Sequence, residues 1–177
     1  MTRHPKARTS RGAPAPAPDD TPFPARRHDH RGCVATAIDQ ALNLCARRGV
    51  RLTPLRRRVL ELLWRNHAPA GAYDILKSLA REHPGATPAT VYRALDFLLA
   101  QGLVHRLESA NAFVGCARPG DAHASQFLMC SDCGAVAELH DPAIGRAIAR
   151  GAGKVGFVAE ETVVEVRSRC PACLERR

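Results

Sequence analysis

The stretch TPATVYRALDFLLAQGLVHRLESANAFVGC, residues 87–116, changes periodicity partway along. In its first half Val91, Leu95, Leu98 and Leu99 fall on one face of a helical wheel, leaving Ala89, Tyr92, Arg93 and Asp96 outward. Thr87 is placed to accept from the first free amides of that helix. Pro88 takes the first helical position, where no amide donor is missed. After Gly102 the runs LVHRLE and AFVGC alternate and are joined by the turn-like SAN, which reads as a β-hairpin. A helix running straight into a hairpin ends a winged helix-turn-helix, provided that further helices precede it.

The preceding residues supply them. LTPLRRRVLELLWRN repeats the Thr-Pro start at Thr53 and Pro54, and GAYDILKSLAREH carries Ile75, Leu76 and Leu79 as an apolar stripe. Earlier still, Val34, Ile38, Leu42 and Cys45 form one face, closed by basic charge and Gly49. Cys45 is there most simply a small buried apolar residue. The expectation is four helices and a wing, the last helix being the reader. Such a helix fits a major groove, with Arg93 bonding guanine in bidentate fashion and Tyr92 touching a base edge or phosphate. Ala89 lies on the same outward face, and Arg51, Arg56 and Arg57 would supply phosphate contacts. The plainer reading is a surface helix with unremarkable polar residues.

Charge favours the first. Residues 31–110 hold 12 Lys and Arg against 6 Asp and Glu, residues 1–30 hold 6 against 3, and residues 111–177 hold 8 against 8. The whole excess of +9 lies in the first 110 residues, which suits a polyanion-binding module followed by something else. Residues 1–31, rich in Pro, Ala, Arg and His without hydrophobic period, read as a disordered basic arm. Its His28, Asp29 and His30 suit a metal or phosphate contact less well than a solvated segment. No run of apolar residues reaches the roughly 18 a membrane helix needs, and the basic start lacks the apolar centre of a secretory signal. A cytoplasmic protein with no membrane association is expected.

Beyond Gly120, SQFLMC, AVAELH and ETVVEVRSRC read as strands and PAIGRAIARGAG as a short helix, a small α/β unit. The fold class expected is therefore α+β. The division is a disordered arm over 1–31, a winged-helix DNA-binding domain over 32–117, a hinge over 118–124 and the α/β domain over 125–177. Two C-x-x-C pairs, Cys130 with Cys133 and Cys170 with Cys173, stand 36 residues apart at the ends of that domain. An odd count of 7 cysteines and paired C-x-x-C spacing fit a reducing compartment and metal better than a secreted disulfide framework. Four thiolates satisfy tetrahedral zinc and leave no open position, so the site would be structural. A dithiol that exchanges electrons is the competing reading. It lacks the thioredoxin-like context and would need only one pair.

Four other residues invite a second site. His105 and Cys116 lie on the two strands of the wing, His123 in the link after it, and Glu138 five residues after Cys133. Each alone has an ordinary place, as surface strand, core, loop and exposed strand. Together they form an N2SO donor set suited to zinc, whose thiolate disfavours Mg2+ and Ca2+. Ligands drawn from both halves of the chain would let a metal fix the angle between them, making a sensor.

The runs RLTPLRRRVLELL, AYDILKSL and TPATVYRALDFLLAQGLVHRLES, with C-x-x-C-G-x-V-x-E and the C-terminal C-x-x-C, resemble the ferric uptake regulator family, most closely its zinc uptake regulator branch. The resemblance spans about residues 34–176. It implies a homodimer on double-stranded operator DNA, with the α/β domain as the dimerisation domain. It also implies about two zinc ions per chain, one structural at Cys130, Cys133, Cys170 and Cys173 and one regulatory at His105, Cys116, His123 and Glu138. The function implied is repression of zinc-uptake genes when zinc is plentiful, with Tyr92 and Arg93 at positions used to contact the operator. Such a protein is not an enzyme. An iron or peroxide sensor of the same family is the nearest alternative, although the His-rich run of iron-sensing members is reduced here to His123 within GDAHASQFLMC. His140 remains a candidate for an additional metal site.

Overall fold

The computed structural model describes residues 30–65, 68–120, 125–160 and 162–176. The arm expected over 1–31 falls outside them except for its last two residues, which open the first helix. His123 and most of the expected hinge, residues 121–124, also lie outside.

Four helices come first: α1 (His30–Arg47), α2 (Pro54–Trp64), α3 (Ala72–Leu79) and α4 (Pro88–Ala100). The Thr-Pro starts behave as the residues require. Thr53 accepts the Arg56 amide at 3.4 Å, and Thr87 and Thr90 exchange side-chain-to-backbone bonds in a capping box. Gly49 closes α1 at a φ of 65°, with the Val50 amide bonded back to Cys45. A hairpin follows, β1 (Val104–Leu107) against β2 (Ala112–Gly115), with Val104 opposite Gly115 and Leu107 opposite Ala112. Ala70 adds a single bridge to Phe113, giving the wing a third, minimal edge.

One core joins these elements. Val59, Val91, Leu95, Leu98 and Leu79 are fully excluded from solvent, and Ile38, Leu60, Leu63, Ile75, Val104 and Phe113 pack with them. At roughly 25 cal/mol per Å2 of apolar surface, each large side chain here stabilises the fold by about 1.5–3 kcal/mol. On α4 the buried face is Val91, Ala94, Leu95 and Leu98, with Leu99 only half-buried at its margin. On α1 the expected face is corrected: Leu42 is exposed, and Ala41 and Leu44 hold the core between Ile38 and Cys45. Steps of four outrun the 3.6-residue turn, so Leu42 has rotated off the stripe that Val34 and Ile38 begin.

The remaining elements are β3 (Ser125–Cys130), β4 (Val136–Leu139), α5 (Pro142–Lys154), β5 (Val163–Ser168) and α6 (Pro171–Leu174). The strand order is β4-β3-β5, with β3 antiparallel to β4 and parallel to β5, so β4 returns the chain along the sheet and α5 links it to β5 on the far side of β3. The mixed helix and strand content and this order agree with the α+β expectation. No side chain of α5 is buried, and the segment after it exposes Val155, Phe157 and Val158. No helix among the described residues is long and apolar enough to cross a membrane.

Candidate metal centres and DNA-reading face

Among the described residues two groups of His, Cys, Asp or Glu converge closely enough to hold an ion, and both contain residues singled out above. The first is Cys130, Cys133, Cys170 and Cys173, whose sulfurs lie within 4.8 Å of one another. Cys130 ends β3 and Cys170 follows β5, so the parallel pairing of those strands carries the two C-x-x-C turns to the same end of the sheet. The first turn needs Gly134, at a φ of 71°, to reverse the chain while the Cys130 amide reaches the Ala135 carbonyl. The turns are also bonded to each other. The Ser131 amide meets the Ser168 carbonyl at 2.9 Å, and Arg169 pairs with Asp132 at 2.8 Å.

Cys133 and Cys170 stand 3.7 Å apart at sulfur. Four sulfurs about 2.3 Å from a tetrahedral zinc would be separated by about 3.8 Å, so the spacing suits that ion. Donors already surround the sulfurs: the Cys170 amide reaches Cys130 Sγ at 3.3 Å and the Arg176 guanidinium reaches Cys173 Sγ at 3.0 Å. The Cys170 amide is the main influence drawing the Cys130 thiol down to about 6. Cys133 is drawn down by the Ala135 amide, yet bonding with the other cysteines and burial push it up to about 11. Neighbouring thiols resist ionising together, and a divalent cation removes that conflict. A redox dithiol needs two sulfurs, whereas four meet here.

The second group is His105, Cys116 and Glu138, again with donor atoms within 4.8 Å of one another. His105 sits on β1, Cys116 follows β2 and Glu138 sits on β4, so the winged unit and the second sheet both contribute. Two of the three side chains are held in position by a neighbour. His105 Nδ1 meets Ser125 Oγ at 3.0 Å, which turns Nε2 toward Glu138 Oε1 at 3.2 Å. The Ala117 amide donates to Glu138 Oε2 at 2.8 Å, leaving Oε1 toward the cluster. Cys116 is buried, and Phe127 lies edge-on to the imidazole at 5.3 Å between centroids. Imidazole, thiolate and carboxylate, two of them oriented by second bonds, form a donor set that zinc favours. His140 is exposed and belongs to neither group.

The outward face of α4 is as the wheel drew it. Ala89 and Arg93 are exposed and Tyr92 is 44% exposed. Arg56 differs from a loose phosphate hook: its guanidinium lies 3.6 Å over the Phe97 ring and donates to the Arg51 carbonyl at 2.7 Å. Arg57 is exposed and paired with Glu61 at 2.9 Å. The sequence reading missed Tyr73, which is 71% exposed at the start of α3. The signal was present, because Ile75 and Leu79 face inward and put Tyr73 on the opposite side of that helix. It also missed Ser125 and the Ala117 amide, whose roles arise only from contacts across elements.

A winged helix-turn-helix whose hairpin shares a donor cluster with a second, cysteine-rich α/β unit defines a DNA-binding metalloregulator as its class. Comparison with known proteins is specific about the lineage. The chain belongs to the ferric uptake regulator family, whose model matches residues 47–167. It is 43% identical over 139 residues to the zinc uptake regulation protein of Escherichia coli, a match covering 78% of this chain and 81% of that one. It is 29% identical over 143 residues to the peroxide operon regulator of Bacillus subtilis, covering 81% and 97%. Among solved structures, a zinc uptake regulator complexed with zinc and DNA superposes with a TM-score of 0.75 at 40% identity, covering 85% of this chain and 98% of that one.

Proposed function

We propose that this protein is a zinc-responsive transcriptional repressor of zinc-uptake genes, a cytoplasmic homodimer that binds double-stranded operator DNA. The observation that carries the reading is the convergence of His105, Cys116 and Glu138 from the two units onto one point. Similarity to the E. coli zinc uptake regulation protein and to the zinc- and DNA-bound regulator supports it. We assign the winged-helix domain to residues 32–117, a hinge to 118–124 and the dimerisation domain to 125–177, with a basic arm over 1–31.

The chain is read as holding about two zinc ions, each in a four-ligand shell. Cys130, Cys133, Cys170 and Cys173 hold the structural one, and His105, Cys116, Glu138 and His123 the regulatory one. An ion in the second set supplies a cross-link between the units. The residues do the rest. Ser125 and the Ala117 amide keep His105 and Glu138 aimed at a common point, so the closed arrangement is the one that completes the donor set. Closure fixes α4 relative to the dimerisation domain and hence to the second reader of the dimer. Differential affinity of the donor set for the closed state is what makes DNA binding depend on zinc. The unburied face of α5 and the exposed Val155, Phe157, Val158, Val163 and Val166 offer the apolar surface for a second copy.

On DNA, Arg93 and Tyr92 read bases from α4, Ala89 permits close approach, Arg56 approaches phosphate and Tyr73 joins them from α3. Arg93→Ala is expected to lose about 1–3 kcal/mol of discrimination at one base pair. Binding measured against single-base operator variants checks this, and an equal loss on every sequence would make Arg93 a phosphate contact instead.

DNA binding titrated with buffered metal tests the reading as a whole. Binding should tighten with zinc at far lower free concentration than with Fe2+ or Mn2+, because the Cys116 thiolate favours the softer borderline ion. Equal tightening by iron would move the protein to the iron or peroxide sensors of the family.

A further inference from the structure

One row of residues crosses the second sheet beneath the wing. Phe127 on β3 is in register with Glu138 on β4 and with Glu165 on β5. Register partners share a face of a sheet, so Glu138, Phe127 and Glu165 face the hairpin together. Each meets a different part of it. Glu138 meets His105 at the base, and Phe127 packs with Leu107 and Val114 in a small apolar cluster completed by Val136 and Met129. Glu165 takes the turn: its carboxylate accepts the Glu108 amide at 2.7 Å, the Ser109 amide at 3.2 Å and the Ser109 hydroxyl.

The Glu165 bonds join residues 56 and 57 positions apart and link the winged unit to the second sheet through side chains that belong to neither donor cluster. Burial alone would raise the Glu165 carboxyl, but the Ser109 hydroxyl and the two amides outweigh it and hold the group below the usual carboxylate range. A backbone turn that offers two amides and a hydroxyl to one carboxylate forms an anion-accepting notch. The notch is filled only while the hairpin lies against the sheet.

We propose that Glu165 is a metal-independent latch, a positioning residue that holds the wing against the dimerisation domain and so sets how much zinc the protein needs before it binds DNA. The inference rests on the zinc-sensor reading above. With the latch intact, part of the closure is already made when zinc arrives. Without it the closed fraction falls, and the apparent zinc affinity falls by the same factor.

The test compares DNA binding of full-length wild type, Glu165→Gln and Ser109→Ala across buffered free zinc. Glutamine keeps one acceptor oxygen but presents an NH2 group to a donor. Glu165→Gln is therefore expected to raise the free zinc at half-maximal binding about tenfold, the scale of losing charge-assisted bonds. At saturating zinc its DNA affinity should return to the wild-type value, and its dimeric state and chelator-resistant zinc should match wild type. Those controls separate a latch from a residue that merely supports the fold. Ser109→Ala, at an exposed position, should shift the zinc requirement the same way by less, and adding it to Glu165→Gln should add little. If Glu165→Gln does not give a folded dimer, Ser109→Ala carries the test. An unchanged zinc requirement, or weakening that persists equally at saturating zinc, would overturn the latch. Wild-type DNA binding that ignores zinc would overturn the sensor reading itself, and the latch's role with it.

Discussion

Cys170→Ser is expected to abolish the dimer and with it all specific DNA binding. The reason is the poverty of the core it staples. Among the described residues of the second unit, the buried apolar residues are Phe127, Val136 and Ala137 besides Cys130, Cys170 and Cys173, and the hydrophobic side chains packed against those three cysteines are Ala135 and Ala172. The α5 helix adds no buried side chain within one chain. A unit of this size with so little core depends on a staple. Structural zinc in small domains supplies about 10–16 kcal/mol of apparent binding energy that is also folding energy. Serine removes one thiolate from that shell and is expected to cost most of it. The Cys170 amide that now bonds Cys130 Sγ would also lose its geometry. Sedimentation, zinc content and thermal melting of the variant read this directly. A Cys170→Ser protein that is dimeric and holds its full zinc would remove these cysteines from the structural site.

The second large effect is of a different kind. Cys116→Ser should leave the folded dimer and its tightly held zinc untouched, while DNA affinity at saturating zinc drops to the metal-free level. Cys116 is the buried cysteine of the cluster between the units, and a serine hydroxyl is a poor zinc ligand at neutral pH. Coupling between two sites in one protein typically spans about 1–3 kcal/mol, so the loss expected in DNA affinity is about 5–150-fold. The contrast between the two cysteines is the point. One substitution removes the dimer and the other removes only the response. A Cys116→Ser protein that still tightens normally on DNA with zinc would exclude Cys116 from sensing.

What was legible in the sequence was local. The stripe Val91, Leu95 and Leu98, the Thr-Pro caps and the alternation of the wing each arise from neighbours a few residues apart, and each is present in the fold. The C-x-x-C spacing was legible for the same reason, since each turn brings its own two sulfurs together before the rest of the fold is considered. Leu42 marks the limit of that reasoning, because an apolar residue one step off the stripe looks like a core residue until the packing partner is known. The regulatory set was partly legible. His105, Cys116 and Glu138 stood out by chemistry and do converge, but their supports Ser125 and the Ala117 amide depend on how the second sheet meets the wing. Glu165 was not legible at all. A carboxylate in an alternating strand looks solvent-facing, and only the parallel insertion of β5 beside β3 brings it under the hairpin turn. Long-range strand order has no short-range signature in the sequence.

In the proposed function one zinc holds the dimerisation domain together while another, between the units, licenses DNA binding. Zinc bound per chain, measured before and after mild chelation with operator binding read on the same samples, tests it most directly. The expected result is about two zinc per chain falling to about one, since a closed shell of four thiolates releases its ion reluctantly. Operator binding should be lost in the same step and restored by adding zinc back. A single zinc throughout, or operator binding that survives removal of the labile one, would contradict the account.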